Sequence, residues 1–362
     1  MTTVWNDIFI SIQSGVPTLL WGEPGIGKTA KIKQFAESLD LHLEVVIASI
    51  REPSDFGGLP IIDNGSVKLA PPQWAKNLVE AGGGILFLDE ISTAPPAVQA
   101  ALLCVVLDKK VGDLQLPENT LIVAAANPPE CSSGGWDLSA PLANRFTHFH
   151  LMENFEDWSN WANGISSVSD DVKKLPETWK NEVCVTLPVL AGFLKQRPNL
   201  LHKLPEDYTS GNAWPSPRSW EMASILFAAA NSIGAKPNSE TVSRLLISSV
   251  GEGAARECIA YLNKVELPNP EEILNDPSSW KLSDRSDLVF AGMSSVLSFM
   301  SNNVTKKLWG KSWVVVSYLY DNGKKDVAMA MATALIRRKE KWGFELPKSV
   351  LKLKDIVKLI SF

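Results

Sequence analysis

One eight-residue segment constrains this chain more than any other. It runs Gly22, Glu23, Pro24, Gly25, Ile26, Gly27, Lys28 and Thr29, and it fits the pattern G-x-x-x-x-G-K-[ST] without a mismatch. Glycines let such a loop curl so that backbone N–H groups point at a phosphate, and the following helix presents its positive end to the same anion. The lysine reaches the β- and γ-phosphates, and the threonine hydroxyl ligates Mg²⁺. The segment therefore predicts a site for ATP with Mg²⁺.

Two acids follow a buried strand about 60 residues later. The run Ile85-Leu-Phe-Leu ends in Asp89 and Glu90. The carboxyl end of a buried parallel strand is where open α/β sheets place their ligands. We expect Asp89 to hold Mg²⁺ and Glu90 to orient and polarise the attacking water. A strand that simply ends in a solvated acid pair is the alternative, and the phosphate loop upstream favours the catalytic interpretation.

The first 150 residues alternate apolar strands with helices, which predicts a parallel sheet covered on both faces. The predicted strands are residues 16–22, 41–48, 84–89, 119–127 and 147–152. Asn64-Gly65 predicts a hairpin within 58–69, and a second hairpin is predicted at 111–116. Beyond residue 153 helical patterns dominate, with helices expected at 220–230 and 240–250. Residues 312–320 are ambiguous because they are β-rich by propensity.

Composition excludes several classes of protein. Apolar residues make up 45% and charged residues 21% of the chain, which fits a globular protein and not a disordered one. No apolar run approaches the ~18 residues of a membrane span, and the start shows no signal peptide, so we expect a cytoplasmic protein. Cys104, Cys131, Cys184 and Cys258 lie far apart, which favours buried free thiols over a disulfide or a metal site.

Charge is distributed unevenly along the chain. The net charge is −5, yet residues 303–362 carry 13 Lys+Arg against 5 Asp+Glu. A basic segment can contact nucleic acid or an acidic partner. We favour a solvated helical face instead, because the lysines of residues 350–360 are interspersed with apolar residues as in an amphipathic helix.

Four further segments add to these two motifs, namely Arg51–Pro60, Pro71–Trp74, Val123–Pro128 and Pro141–Phe146. With Ile85–Glu90 included, the order and spacing of these segments resemble the MoxR-type ATPases of the AAA+ superfamily over residues 15–150. The resemblance implies an α/β fold with an AAA+ P-loop core, a parallel five-stranded sheet with helices on both faces, at residues 1–152. It implies an all-α lid at 153–282, and a basic helical extension is expected at 283–362.

The resemblance also implies partners. Such proteins form rings, usually hexamers, that bind ATP between subunits and remodel protein partners, often ones with a von Willebrand A domain. The 58–69 hairpin would be the helix-2 insert of the family, and the 111–116 hairpin its pre-sensor hairpin.

Three further residues acquire roles mainly through this resemblance. Asn127 ends a strand and would be the first sensor, although an asparagine in a turn is an alternative. Arg145 would be the arginine finger, although a cation at a helix C-terminus is favoured by about 0.3–1 kcal/mol in any case. Arg218 follows a predicted N-cap, Ser216, and Pro217. A cation in a first helical turn opposes the helix dipole, so we expect it to meet an outside anion as the second sensor.

Several functions stay open. The leading hypothesis is an ATP-driven remodelling ring, and the alternatives are an ATP-gated scaffold with slow turnover or a nucleic-acid motor. Only the basic segment supports the motor, and the acidic remainder of the chain argues against it. Use of GTP is disfavoured because no guanine-reading N-K-x-D motif is present.

Overall fold

The computed structural model describes residues 3–128, 131, 136–163, 173–205, 213–263 and 269–347. The described strands are β1 (Thr18–Trp21), β2 (Leu43–Ile47), β3 (Leu59–Asp63), β4 (Ser66–Ala70), β5 (Gly84–Asp89), β6 (Lys110–Val111), β7 (Leu114–Gln115), β8 (Thr120–Ala126) and β9 (Thr147–His150). The described α-helices are α1 (Thr3–Gln13), α2 (Lys28–Ser38), α3 (Ser54–Gly57), α4 (Gln73–Glu80), α5 (Pro96–Asp108), α6 (Ala140–Ala143), α7 (Phe155–Ala162), α8 (Val183–Gln196), α9 (Pro217–Ser232), α10 (Glu240–Val250), α11 (Glu252–Leu262), α12 (Pro270–Asn275), α13 (Ser286–Asn302), α14 (Lys306–Asp321) and α15 (Lys325–Trp342).

Five strands form a parallel sheet in the order β2-β5-β8-β1-β9. The register pairs Trp21 with Ala126 and with His150, so the carboxyl ends of β8, β1 and β9 lie at one edge. Asp89, at the end of β5, pairs with Ile47 on β2 at the same edge. The predicted α/β core with a five-stranded parallel sheet is confirmed.

Alternate residues of the strands enter cores on opposite faces of the sheet. Leu19, Leu86 and Leu88 belong to a cluster that includes residues of α4 and α5. The intervening residues Leu20 and Phe87 are also fully buried, and α1 and α2 contact the sheet strands. Burial on both faces explains why these strands are continuous apolar runs rather than alternating patterns.

Both predicted hairpins are present. Strands β3 and β4 pair antiparallel around Asn64 and Gly65, whose φ angles of 50° and 80° match the Asn-Gly signal. Strands β6 and β7 form the second hairpin.

Contacts divide the chain into two compact units that do not follow the predicted boundaries at 152 and 282. The first unit consists of Met1–Pro176 and His202–Arg256, and the second of Glu177–Leu201 and Glu257–Phe362. Helices α9 and α10 belong to the first unit because they pack on α1, and α10 also contacts β9. Arg244 of α10 donates hydrogen bonds to the buried Asp7 of α1 and to Glu240. The three-part division by function stays a prediction.

The second unit is helical, and it resolves the ambiguous segment 312–320 as part of α14. Trp309, Trp313 and Val316 recur at helical spacing and are buried in one core with residues of α13 and α15. The hydroxyl of Thr305 caps this helix by accepting from the N–H of Leu308. Packing of one helical face therefore overrides the β propensity of the individual residues. The amphipathic helix predicted at 350–360 lies outside the described residues.

Two further expectations concern membrane spans and cysteines. Within the described parts of the chain, no helix is long and apolar enough to cross a bilayer.

Cys104, Cys131 and Cys258 are free thiols as predicted, but only Cys258 is buried. Cys104 is exposed because it lies on the outer side of α5, away from the apolar face formed by Leu102, Val105 and Val106.

Candidate functional site

The predicted phosphate loop joins β1 to α2 at the carboxyl edge of the sheet. Gly25 and Gly27 adopt φ angles of 86° and 88°, a region that side-chain-bearing residues rarely enter. A Cβ on Gly22 would lie 3.3 Å from the carbonyl oxygen of Leu151, tighter than ordinary contact, so glycine favours the close approach of the loop to the end of β9. The N-terminus of α2 has no side-chain cap, which leaves its N–H groups available to an anion.

Lys28 is held at the centre of this loop. Its Nζ donates to the carbonyls of Gly22 (2.6 Å) and Glu23 (3.1 Å) and to Oδ1 of Asn127 (3.1 Å). Burial lowers the pKa of Lys28, while Asp89 and Glu90 oppose that shift. The ammonium is therefore pre-positioned beside two carboxylates, in a place where polyanionic phosphates would meet a cation.

Asp89 and Thr29 bring oxygen atoms together beside this lysine. Thr29 Oγ1 donates to Asp89 Oδ2 at 2.9 Å, and the N–H of Glu90 donates to Asp89 Oδ1 at 3.0 Å. A hydroxyl and a carboxylate at this separation are the hard oxygen ligands that a small divalent cation takes. The donor set therefore fits the predicted metal site.

Glu90 adopts a left-handed backbone conformation, with φ of 56°. For a residue other than glycine this costs roughly 1–3 kcal/mol, and such strain is concentrated at functional positions. Two contacts hold it: Ser49 Oγ donates to Glu90 Oε2, and Thr93 Oγ1 donates to the Glu90 carbonyl at 3.0 Å. Its carboxylate is exposed at the strand edge, where a water molecule can reach it.

Arg145 and Arg218 form a second group of predicted residues. Helix α6 ends at Ala143, so Arg145 lies just beyond it. Burial lowers the pKa of Arg145, and the charge of Arg218 lowers it further. One nitrogen of Arg145, Nη1, donates to the Pro141 carbonyl, whereas Nε is buried and has no hydrogen-bond partner among the described residues. The two cations are close enough to repel each other.

The N-terminus of α9 is built as predicted. Ser216 is the N-cap, Pro217 is the first helical residue, and Ser216 and Ser219 form a reciprocal capping box. The Ser216 hydroxyl also donates to Asn144 Oδ1 at 2.9 Å, which ties the end of α6 to the helix that carries Arg218.

The structure thus separates the predicted residues into two groups. The charged or ionisable groups that act on Lys28 are Asp89, Cys131 and Glu90. Those that act on Arg145 are Arg218, Asp108 and Cys104. The strand register supports this separation for Arg145, which lies two residues before Thr147, the partner of Thr18 at the amino end of β1, whereas the phosphate loop follows the carboxyl end of β1.

A cavity beside the loop contains residues that the sequence patterns did not indicate. It encloses about 760 Å³, and it is lined by residues that include Gly25, Gln34, Leu151, Phe155 and Trp158. Phe155 and Trp158 are largely exposed, with ring centroids 6.3 Å apart. Oε1 of Gln34 is buried and has no hydrogen-bond partner in the parts of the chain that the structure describes. The sequence could have indicated this cavity through the aromatic residues that follow β9. Aromatic residues are usually assigned to a protein core, so they did not stand out.

The geometry agrees with a family match. Residues 17–148 match the ATPase family associated with various cellular activities (AAA). This segment is an AAA-family ATPase domain. Nucleotide binding and ATP hydrolysis are the activities of this family, and the phosphate loop and the strand-end acids fit them.

Individual relatives cover the chain only in part. The "Pathogenicity locus probable regulatory protein WtsA" of Pantoea stewartii subsp. stewartii is 31% identical over 121 residues, which are 32% of this chain and 38% of that protein. A solved structure of a candidate ATPase from Cytophaga hutchinsonii has a TM-score of 0.47 at 21% identity and covers 73% of this chain and 89% of that one. A full-length MCM homologue from Methanopyrus kandleri has a TM-score of 0.37 at 17% identity and covers 73% and 55%.

Proposed function

We propose that this chain is a Mg²⁺-dependent, MoxR-type AAA+ ATPase that assembles into a ring and uses ATP to remodel a protein partner. The observation that carries the proposal is the separation of the arginine pair from the phosphate loop. An arginine finger must reach a γ-phosphate. Arg145 lies just before the amino end of β9, at the sheet edge opposite the phosphate loop, and Arg218 is close enough to lower the pKa of Arg145, so we assign both to the nucleotide of a neighbouring subunit.

The adjacency of two positive charges supports this assignment. Arg145 is partly desolvated beside Arg218, and its buried Nε donates to nothing in the described part of the chain. Buried donors and adjacent like charges are costly unless an anion compensates them. A phosphate presented by the next subunit would supply that anion. A ring built from such head-to-tail contacts closes with every site shared between two chains.

Within one site each residue has a defined task. Lys28 and the loop N–H groups bind the β- and γ-phosphates, and Thr29 and Asp89 hold Mg²⁺. When bound, this ion neutralises charge on the phosphate oxygens. Glu90 orients a water and accepts its proton as the water oxygen attacks the γ-phosphorus, and ADP leaves with the bridging oxygen. Asn127, hydrogen-bonded to Lys28 at 3.1 Å, lies where an amide can position that water.

The cavity favours ATP over GTP. Phe155 and Trp158 present apolar faces to a planar base, and Gln34 Oε1 is an unsatisfied acceptor on the cavity wall. The exocyclic amino group of adenine donates a hydrogen bond, whereas guanine has a carbonyl oxygen at the same position. With guanine bound, the carbonyl oxygen of the base and Oε1 of Gln34 would both be acceptors. The buried Oε1 would then stay unsatisfied, which costs about 1–3 kcal/mol.

We expect Gln34→Met to lower the preference for ATP over GTP by about 10-fold, because methionine keeps the side-chain length and removes the acceptor. The measurement is the dissociation constant of ADP and of GDP by calorimetry, with Lys33→Met on the exposed side of α2 as the matched control. An unchanged ADP:GDP ratio in Gln34→Met would show that Gln34 does not read the base.

The protein partner belongs to the proposal through resemblance alone. MoxR-type proteins often act on partners with a von Willebrand A domain, and a cytoplasmic location fits that role. A scaffold with slow turnover keeps the same ATP site, so only a measured rate separates it from a remodelling machine.

The proposal is tested by Mg²⁺-dependent ATP hydrolysis per subunit across a range of protein concentration. The range runs from concentrations at which sedimentation shows single chains to those at which it shows assemblies. We expect specific activity to rise steeply as assemblies form, because the site is complete only between two subunits. Constant specific activity down to single chains would contradict the shared site.

A further inference from the structure

His148 is a buried histidine that connects two parts of the site. It lies on β9, is 5% exposed, and makes a hydrogen bond through each ring nitrogen. Trp21 Nε1 donates to His148 Nδ1 at 3.0 Å, and His148 Nε2 lies 3.0 Å from the carbonyl of Ala143. The Trp21 and His148 rings are stacked, with an interplanar angle of 14°.

The two partners determine the state of the imidazole. Tryptophan Nε1 is only a donor, so Nδ1 of His148 must accept. A backbone carbonyl is only an acceptor, so Nε2 must carry the proton. Both hydrogen bonds are therefore made by one form, the neutral ring protonated on Nε2. An apolar residue of the same volume would fill the space and make neither bond.

Both partners of His148 stand next to functional segments of the chain. Trp21 is the last residue of β1, and Gly22 opens the phosphate loop directly after it. Ala143 is the last residue of α6, and Arg145 lies two residues beyond it. Asn144, between them, accepts from the N-cap Ser216 of the helix that carries Arg218. His148 therefore connects β1, which leads into the phosphate loop, to the end of α6. That end precedes Arg145 and contacts, through Asn144, the helix that carries Arg218.

We propose that His148 is a positioning residue that fixes Arg145, and through Asn144 also Arg218, relative to the phosphate loop of its own chain. The position of each subunit's arginines relative to the neighbouring nucleotide would then depend on β1 of the same subunit, the strand that leads into its phosphate loop. This inference rests on the proposed function, because it requires that Arg145 act on the adjacent subunit.

The test uses His148→Phe, which keeps a ring and removes both hydrogen bonds, and His148→Gln, whose amide can accept at one end and donate at the other. We expect His148→Phe to bind ADP within about twofold of the unchanged protein, since the loop itself is intact. Its kcat should fall about 10–100-fold, because a misplacement of about 1 Å can cost that much. His148→Gln should recover most of the loss. Trp21→Phe removes only the first hydrogen bond and provides a second test if His148→Phe does not fold.

Mixed assemblies decide which side of the interface is damaged. Arg145→Ala subunits keep an intact phosphate site and need an arginine from a neighbour. If His148 positions that arginine, His148→Phe subunits will restore ATP hydrolysis at the sites of Arg145→Ala subunits about 10–100-fold less well than Glu90→Gln subunits do. Equal restoration at those sites by the two variants would overturn the inference while leaving the proposed function intact. Failure of Glu90→Gln to restore activity would instead overturn the shared site, and this inference with it.

Discussion

Glu90→Gln is expected to bind ATP as tightly as the unchanged protein and to lose roughly 10²–10⁴-fold of its turnover. Glutamine keeps the shape of the side chain and can still accept from Ser49, but it cannot take a proton from water. Nucleotide binding should survive because the phosphates are held by Lys28 and the loop glycines, which Glu90 does not contact. Strain at Glu90 is a backbone property, so the substitution should not relax it.

The measurement pairs equilibrium binding of ATP with single-turnover hydrolysis of bound ATP. Glu80→Gln, at the exposed end of α4, is the matched control and should behave as the unchanged protein. Lys28→Ala gives the opposite pattern, with binding lost first. If Glu90→Gln turned over at more than a tenth of the normal rate, another group would be the base, and the strand-end assignment would be wrong.

The sequence predicts the parts of this site that are local. The loop from Gly22 to Thr29 is contiguous, and Gly25 and Gly27 adopt positive φ angles that favour glycine. Asp89 and Glu90 come directly after a run of buried apolar residues, so their position at the sheet edge comes from strand direction alone. Parallel strands then bring these acids to Thr29 without any further information.

Tertiary contacts decide what the sequence could not predict. Ser49 reaches Glu90 only because 3₁₀ turns come after both β2 and β5, and neither the distance nor the pairing is visible along the chain. Gln34 looks like any polar residue on a helix until its buried, unsatisfied oxygen is placed on a cavity wall. Helix α14 is a third case, since its β-branched residues are helical only because one face packs into a core.

The roles of Arg145 and Arg218 also depend on tertiary contacts that the sequence does not show. Dipole arguments place Arg218 against the local field, which indicates that it needs an anion, but they do not say whose. The proximity of Arg218 to Arg145 supplies the missing information, because two cations that repel each other are placed to serve one anion together. Since Arg145 and the phosphate loop lie at opposite edges of the sheet, that anion is best assigned to another chain.

Arg145→Ala is therefore expected to reduce ATP hydrolysis by roughly 10³-fold or more, the range measured for arginine fingers in related chemistry. Binding of ADP by the same chain should be unchanged, because its phosphate loop contains no contact with Arg145. Arg256→Ala, an exposed arginine paired with Glu252, is the matched control and should retain full activity.

Mixing the two inactive variants Arg145→Ala and Glu90→Gln tests most directly whether Arg145 acts on a neighbouring subunit. Where an Arg145→Ala subunit presents its nucleotide to a Glu90→Gln subunit, the first supplies the glutamate and the second the arginine, so that one interface is complete. In an equal, random mixture about a quarter of the interfaces have this arrangement, and activity should recover to about that fraction if interfaces work independently. Separate solutions of either variant should stay inactive at the same total concentration. A mixture that also stays inactive, although sedimentation shows mixed assemblies, would mean that Arg145 acts within its own chain.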